Sequence, residues 1–357
     1  MKRFLSVCAG LAIVASPAFA INFYNIATVD TLTLGIDQPG SVAWNGSDLY
    51  VGSLFGSGQI RKISNPLTAP AVTATFGAPV AGNGYVSLDV GNGYVVGASN
   101  NSGVNDVVRT FDLNGNLLSQ NTGGALLQSS GAPFNRIDGA AADPGWVGGG
   151  GGGAGVSLTF FGGGRRNLYS QNNLTAPLNQ GVIIQAPSPV SNGWRDGNYD
   201  DATGNLYMRA TQGISRYIRT GDNSFSAAQV IATFPDGTNS AINVDFLPNF
   251  DGSGTDVAIA NFRSAPDTFA SQIVLFDANA SNVAVPGVFL NADGSAPFVA
   301  ADSTNGIYDF SYDAVSRILA LSDHQNGKIY FFQGTAIPEP ASLSLLALGG
   351  LALLRRR

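Results

Sequence analysis

Short apolar runs, each closed by a glycine-rich turn and recurring at a nearly regular spacing, fill the chain between residues 21 and 336. The first unit reads Val42-Ala43-Trp44, Asn45-Gly46, Leu49-Tyr50-Val51, then Gln59–Ile63. The second reads Val86–Val90, Asn92-Gly93, Tyr94-Val95-Val96, then Val107–Phe111 with a turn at Asp112–Gly115. Later units place Leu206-Tyr207-Met208 before Gly213–Tyr217, Val257–Ala260 before Gln272–Phe276, and Ile318–Leu321 before Lys328–Phe332. Asn-Gly between alternating strands favours a two-residue hairpin, because both residues tolerate positive φ. No long stretch in this region has helical periodicity, so the expected class is all-β.

Repeats of roughly 40–60 residues with three or four strands each point to a β-propeller. A two-sheet sandwich or jelly roll is the alternative, but it does not require near-equal repeats. Counting units gives six blades, with seven as the other count. One unit is expected to be degenerate and glycine-rich around Ile137–Ile184. The last unit has only three strands, so Phe23–Val29 is expected to supply the missing one and close the ring, covering strand edges otherwise left open. The pattern of Leu-Tyr-Val followed by Ile-x-x-Phe/Ile over residues 40–333 resembles NHL- and YVTN-type propeller blades.

The ends of the chain carry a different signal. Lys2 and Arg3 precede an apolar Phe4–Val14, and Ala18-Phe19-Ala20 fits the cleavage site of a secretory signal peptide. At the other end Ile337-Pro338-Glu339-Pro340 is followed by an apolar run to Leu354 and by Arg355, Arg356 and Arg357. Glu339 is the only glutamate in the chain. This order resembles the PEP-CTERM sorting tail read by bacterial exosortases. The resemblance implies an exosortase partner and transient anchoring in the inner membrane, with the arginines on the cytoplasmic side. It also implies a final place on the cell surface or in the extracellular matrix of a Gram-negative bacterium, beside exopolysaccharide production. The expected organisation is a signal peptide at 1–20, a propeller at 21–335 and a sorting tail at 336–357.

Charge narrows the partners. Residues 21–336 hold 23 aspartates against 13 basic side chains, a sum of −10, and no cysteine. Such a surface argues against nucleic acid and anionic membranes. Enzyme signatures are missing too. Propeller hydrolases and lyases often use glutamate or histidine, and this region has no glutamate and one histidine, His324, expected in an exposed turn. No second histidine or cysteine completes a metal set or a nucleophilic triad. Gly148–Gly153 lacks the lysine and helix of a phosphate loop, and Arg165-Arg166 is expected in a solvated loop.

Two stretches remain as candidate sites. Asn249, Asp251, Ser253 and Asp256 place oxygen ligands around glycines ahead of an apolar strand, which suits Ca²⁺. The stretch resembles the calcium loop of FG-GAP repeats, with Leu247 standing where that pattern has its first acidic residue. A polar hairpin, with Asp and Asn capping turns, is the alternative. Trp194, Arg195, Asp196 and Tyr199 could stack on a sugar ring and bind its hydroxyls; the alternative is inter-blade packing. The expected function is therefore a surface or matrix binding or structural protein rather than an enzyme. A polysaccharide hydrolase or lyase using pore aspartates is the rival.

Overall fold

The computed structural model describes residues 20–54, 58–77, 84–91, 93–99, 106–122, 139–144, 157–162, 165–170, 179–180, 194–210, 213–221, 224–234, 243–261, 273–298 and 306–337. The sorting residues Pro338, Glu339, Pro340, Arg355, Arg356 and Arg357, the first 19 residues and Gly148–Gly153 lie outside these. So do the side chains of Arg165, Arg166, Trp194 and Arg195. Among the described residues no helix is long and apolar enough to cross a membrane.

The all-β class is correct. Strand β1 (Ala20–Asp30) opens the chain. A four-stranded sheet follows, β2 (Pro39–Trp44), β3 (Asp48–Ser53), β4 (Ile60–Ser64) and β5 (Ala71–Phe76). The next is β6 (Tyr85–Gly91), β7 (Tyr94–Ser99), β8 (Val107–Asp112) and β9 (Leu117–Thr122). A three-stranded sheet comprises β10 (Ser157–Gly162), β11 (Arg165–Ser170) and β12 (Asn179–Gln180). Then come β13 (Trp194–Tyr199), β14 (Leu206–Ala210) and β15 (Gly213–Tyr217), a small hairpin of β16 (Arg219–Gly221) and β17 (Ser224–Phe225), and β18 (Gln229–Thr233), which pairs with β15. A further sheet holds β19 (Val244–Leu247), β20 (Val257–Asn261) and β21 (Ile273–Asp277). The last contains β22 (Gly287–Leu290), β23 (Ile307–Asp313), β24 (Ile318–Asp323) and β25 (Lys328–Ile337) together with β1.

The arrangement is that of a β-propeller of five blades, fewer than the six or seven expected. One strand of each blade lies innermost: β2 rests against β6 on one side and β23 on the other, and β19 lies between β23 and β13. The expected degenerate unit is described only as the extended segment 139–144 and the backbone of β10–β12. Middle strands are sealed on both faces, so β3, β7 and β24 are buried almost throughout, whereas outer β5 alternates with solvent. The cores are interblade layers. Tyr50 and Phe76 of one blade meet Tyr85, Leu88 and Phe111 of the next, and Tyr207 stacks on Phe246 with centroids 4.3 Å apart.

The turns follow local chemistry. Gly91 pairs with Tyr94 across Asn92-Gly93, with Gly93 at φ 89°, as a two-residue hairpin requires. The Asn45-Gly46 turn is longer, since Trp44 pairs with Leu49. There the Asn45 Oδ1 accepts the Ser47 and Asp48 N–H groups and holds the bend.

Ring closure takes the expected form with one addition. β1 runs antiparallel to β25 from Ala20↔Ile337 to Asp30↔Lys328, with a bulge after Asn25. It is not the outermost strand, because β22 pairs parallel with it from Ile21↔Gly287 to Tyr24↔Leu290. The result is a five-stranded sheet in which the first strand of the domain is clamped on both edges. Phe23 anchors it, fully buried against Phe250 at 4.7 Å and Phe289 at 4.4 Å.

Candidate functional site

Inner strands of neighbouring blades splay apart too far for a continuous ladder, so their edge N–H groups need other partners. Aspartates supply them. Asp309 on β23 accepts the Val42 N–H of β2 at 2.9 Å. Asp89 on β6 accepts the Ala142 N–H at 2.8 Å, and Asp196 on β13 accepts the Val244 N–H of β19 at 3.2 Å. Ser311 takes the Trp44 N–H at 2.8 Å in the same manner. Each side chain thus fastens its blade to the next one round the ring. A typical intramolecular hydrogen bond contributes about 0.5–1.5 kcal/mol net.

Strand period places these residues together. Side chains at alternate positions share one face, and the inner strands read Ser87-x-Asp89, Asp196-x-Asn198, Asn243-x-Asp245 and Asp309-x-Ser311-x-Asp313. Asp89, Asp196, Asp245 and Asp309 are all buried. Burial pushes the Asp89 carboxyl up to about 7, against the opposing pull of the Ala142 and Val90 N–H groups. Burial likewise carries Asp309 up to about 8. Asp196 is raised well above the usual carboxylate range by burial and then by the Asp309 charge, and Asp245 by burial and by Asp89 and Asp309.

Above this layer the C-terminal ends of the five inner strands and segment 139–144 enclose a cavity of about 510 Å³. Its acidic lining is Asp89, Asp200, Asp201, Asp245 and Asp313, and its aromatic lining is Trp44, Tyr199, Phe246 and Tyr312. Asp201 stands at the rim, raised to about 6 by burial and by its neighbours Asp200 and Asp313. No lysine, arginine or histidine is among the described residues that line the cavity. Asp245 Oδ1 accepts the Phe246 N–H and Asn198 Nδ2, both at 2.7 Å, and the Tyr312 backbone N–H of β23 acts on the same carboxylate. The Trp44 indole N–H is buried without a hydrogen-bond partner.

The expected sugar patch is divided by the fold. Asp196 faces inward as an interblade fastener, so its carboxylate is not presented to a ligand at the surface. Tyr199 is buried with Leu206, Met208 and Tyr217 yet borders the cavity, and Asn198, Asp200 and Asp201 of the same stretch line it. Trp194 and Arg195 belong to β13, and their side chains lie outside the described residues.

The residues of the expected calcium loop carry turn-closing hydrogen bonds. Asn249 Oδ1 accepts the Gly254 N–H at 2.7 Å, and Asp251 Oδ1 accepts the Ser253 N–H and hydroxyl. Asp256 accepts the Asn249 N–H and Asn279 Nδ2. Asp251 Oδ2 is buried without a hydrogen-bond partner. Among the described residues no group of three or more His, Cys, Asp or Glu is placed to hold a metal ion. His324, expected to be exposed, is half-buried, with Nδ1 3.3 Å from the Pro39 carbonyl oxygen.

Apart from Asp196 and the general notion of pore aspartates, the inner-strand aspartates and the cavity above them are not among the sequence candidates. The alternate-position pattern was present in the sequence, but aspartate in a glycine-rich chain reads first as a turn residue.

No protein-family model matches this chain, and no curated protein matches it. Solved structures do. An auxiliary nutrient binding protein from Bacteroides thetaiotaomicron superposes with a TM-score of 0.52 at 10% identity, covering 84% of this chain and 69% of that one. A gluconolactonase from Xanthomonas campestris gives 0.49 at 12% identity, covering 84% and 86%. At such identity the first likeness speaks to the propeller fold alone.

Proposed function

We propose that this protein is an exported surface or matrix propeller that binds a small polar ligand, or the end of a saccharide chain, at the mouth of its central ring. The cavity carries the reading. Its volume lies within the usual 300–1,000 Å³ of ligand sites, and it joins aromatic faces to a few polar groups. Export through residues 1–20 and exosortase processing at Pro338-Glu339-Pro340 belong to the same proposal and rest on the sequence motifs.

The test is retention of the purified domain on the producer's own extracellular polysaccharide, wild type against Trp44→Phe and Asp201→Asn. Binding that weakens in these variants without a fall in melting temperature supports the site. Wild type that is not retained refutes polysaccharide binding and leaves a scaffold role. The second reading is hydrolysis, favoured by Asp89 and Asp201 titrating near neutrality beside other carboxylates. New reducing ends released from the same polysaccharide, and lost in Asp201→Asn, would establish it.

A further inference from the structure

We infer that the outer face of the closing sheet, centred on Tyr24, Val288 and Leu290, lies against the lipid surface while the apolar run Ala341–Leu354 holds the chain in a membrane. The inference rests on the export and sorting reading above and adds which face of the propeller meets the bilayer.

Strand period builds this face. Ile21 and Phe23 of β1 point into the core, so Asn22 and Tyr24 point the other way. The neighbouring strands fall in register with them. Val288 of β22 and Thr335 of β25 stand beside Asn22, and Leu290 and Gln333 stand beside Tyr24. Val288 is 44% exposed although Phe289 next to it is buried. Gln333 and Thr335 are exposed, and Asn22, Tyr24 and Leu290 are half-buried. None of these six side chains is charged, in a region whose side chains sum to −10. Acidic surface is repelled by anionic lipid, so an uncharged face is the one that can approach it. Tyrosine suits the headgroup level, where its ring meets apolar surroundings and its hydroxyl meets water.

The path of the chain brings this face to the bilayer. Ile337 ends β25 opposite Ala20, two residues beyond the row of Asn22, Val288 and Thr335. Pro338-Glu339-Pro340 is all that separates Ile337 from Ala341. Those four Cα steps reach at most about 14 Å. The apolar run is also shorter than the ~20 residues of a full span, which draws its flanks toward the headgroups. The closing sheet is therefore held at the lipid surface by its end. The cavity mouth has the opposite character, with Asp200, Asp201 and Asp313 beside Val315, which is 95% exposed. Its acidic rim turns from an anionic surface, and the cavity stays open to solvent while the chain is anchored.

The experiment is thiol labelling of the full chain exported by its own signal, with Pro338-Glu339-Pro340 changed to alanines to retain the apolar run. Residues 21–357 contain no cysteine, so Val288→Cys, Val315→Cys and Gln325→Cys each present one thiol to a membrane-impermeant maleimide. Gln325 is exposed in the turn between β24 and β25, at the far end of the sheet from Ile337. The reference is the same chain ended at residue 340, which keeps every described residue. Access governs thiol reaction rates, so Val288→Cys should react at least about tenfold more slowly in the anchored chain than in the reference, and the other two should change by less than about twofold. Gln333→Cys, on the same face, gives the reading if Val288→Cys fails to accumulate. Unchanged rates at Val288 and Gln333 in a chain recovered with membranes overturn the inference and keep the anchoring reading. Slowing at Val315 instead also overturns it, because the cavity mouth then meets the bilayer. Slow reaction at Val288 in the reference as well overturns it in favour of a protein contact. A full chain recovered without membranes refutes the anchoring reading and the inference with it.

Discussion

Replacing Asp309 with asparagine isolates the energetic cost of the buried carboxylates. Asp309 Oδ2 accepts the Val42 N–H, and Oδ1 accepts the Phe310 N–H and Asn243 Nδ2, so the side chain is fully engaged. Its carboxyl titrates near 8 in the folded protein, because burial penalises the charge, against about 3.9 in the unfolded chain. Above the unfolded value the unfolded chain has released this proton while the folded protein still holds it. The folded state then binds more protons, and stability falls as pH rises. Integrating between pH 5 and pH 9 gives a loss of roughly 4 kcal/mol from this group. For a domain of this size that is ~8 °C in melting temperature, at about 2 °C per kcal/mol. Asparagine mimics the protonated acid and cannot titrate. Asp309→Asn should therefore lose at most one hydrogen bond at pH 5, about 1 kcal/mol, and become the more stable protein by pH 9. The assay is a pair of melting-temperature profiles across that range. If the two profiles run parallel, Asp309 does not titrate in this window and the account of the buried ring is wrong.

Three further outcomes test other parts of the structure. Phe23→Ala empties the aromatic cluster with Phe250, Phe289 and Phe332 and should cost about 3–5 kcal/mol, read as a fall in denaturant midpoint; a change below about 1 kcal/mol would mean β1 does not close the ring. Asp143→Ala removes the carboxylate from the buried Arg219 guanidinium and should cost about 3–5 kcal/mol, whereas Asp143→Leu with Arg219→Met should recover most of it in a double-mutant cycle. Alanines at Pro338, Glu339 and Pro340 should leave full-length precursor in the membrane fraction, and normal processing of that variant would count against exosortase recognition.

Local chemistry in the sequence determined the strands, the turns and the closing strand. Period-two alternation and Asn-Gly or Asp-Gly turns act over a few residues, so β3, β7, β14, β20 and β24 were legible as the middle strands of successive units. The incomplete last unit foretold β1 beside β25, because an unpaired edge calls for a partner. It did not foretell β22, whose short run of Gly287–Leu290 has no turn signal tying it to Phe23.

Only the tertiary structure decided which aspartates are buried. Asp89 meets Ala142 across 53 residues, Asp196 meets Val244 across 48, and Asp309 meets Val42 across 267. Nothing local distinguishes these from aspartates that close turns, such as Asp112 bonding Asn114 and Asn116. The same limit hid the cavity, since Trp44, Asp89, Asp201, Asp245 and Asp313 come from five separate strand ends. Their meeting depends on the ring, and the ring sets the burial that raises the proton affinity of Asp89, Asp201 and Asp245. Sequence periodicity reports which face of a strand a residue takes, whereas the solvation that gives an aspartate its chemistry is a property of the closed propeller.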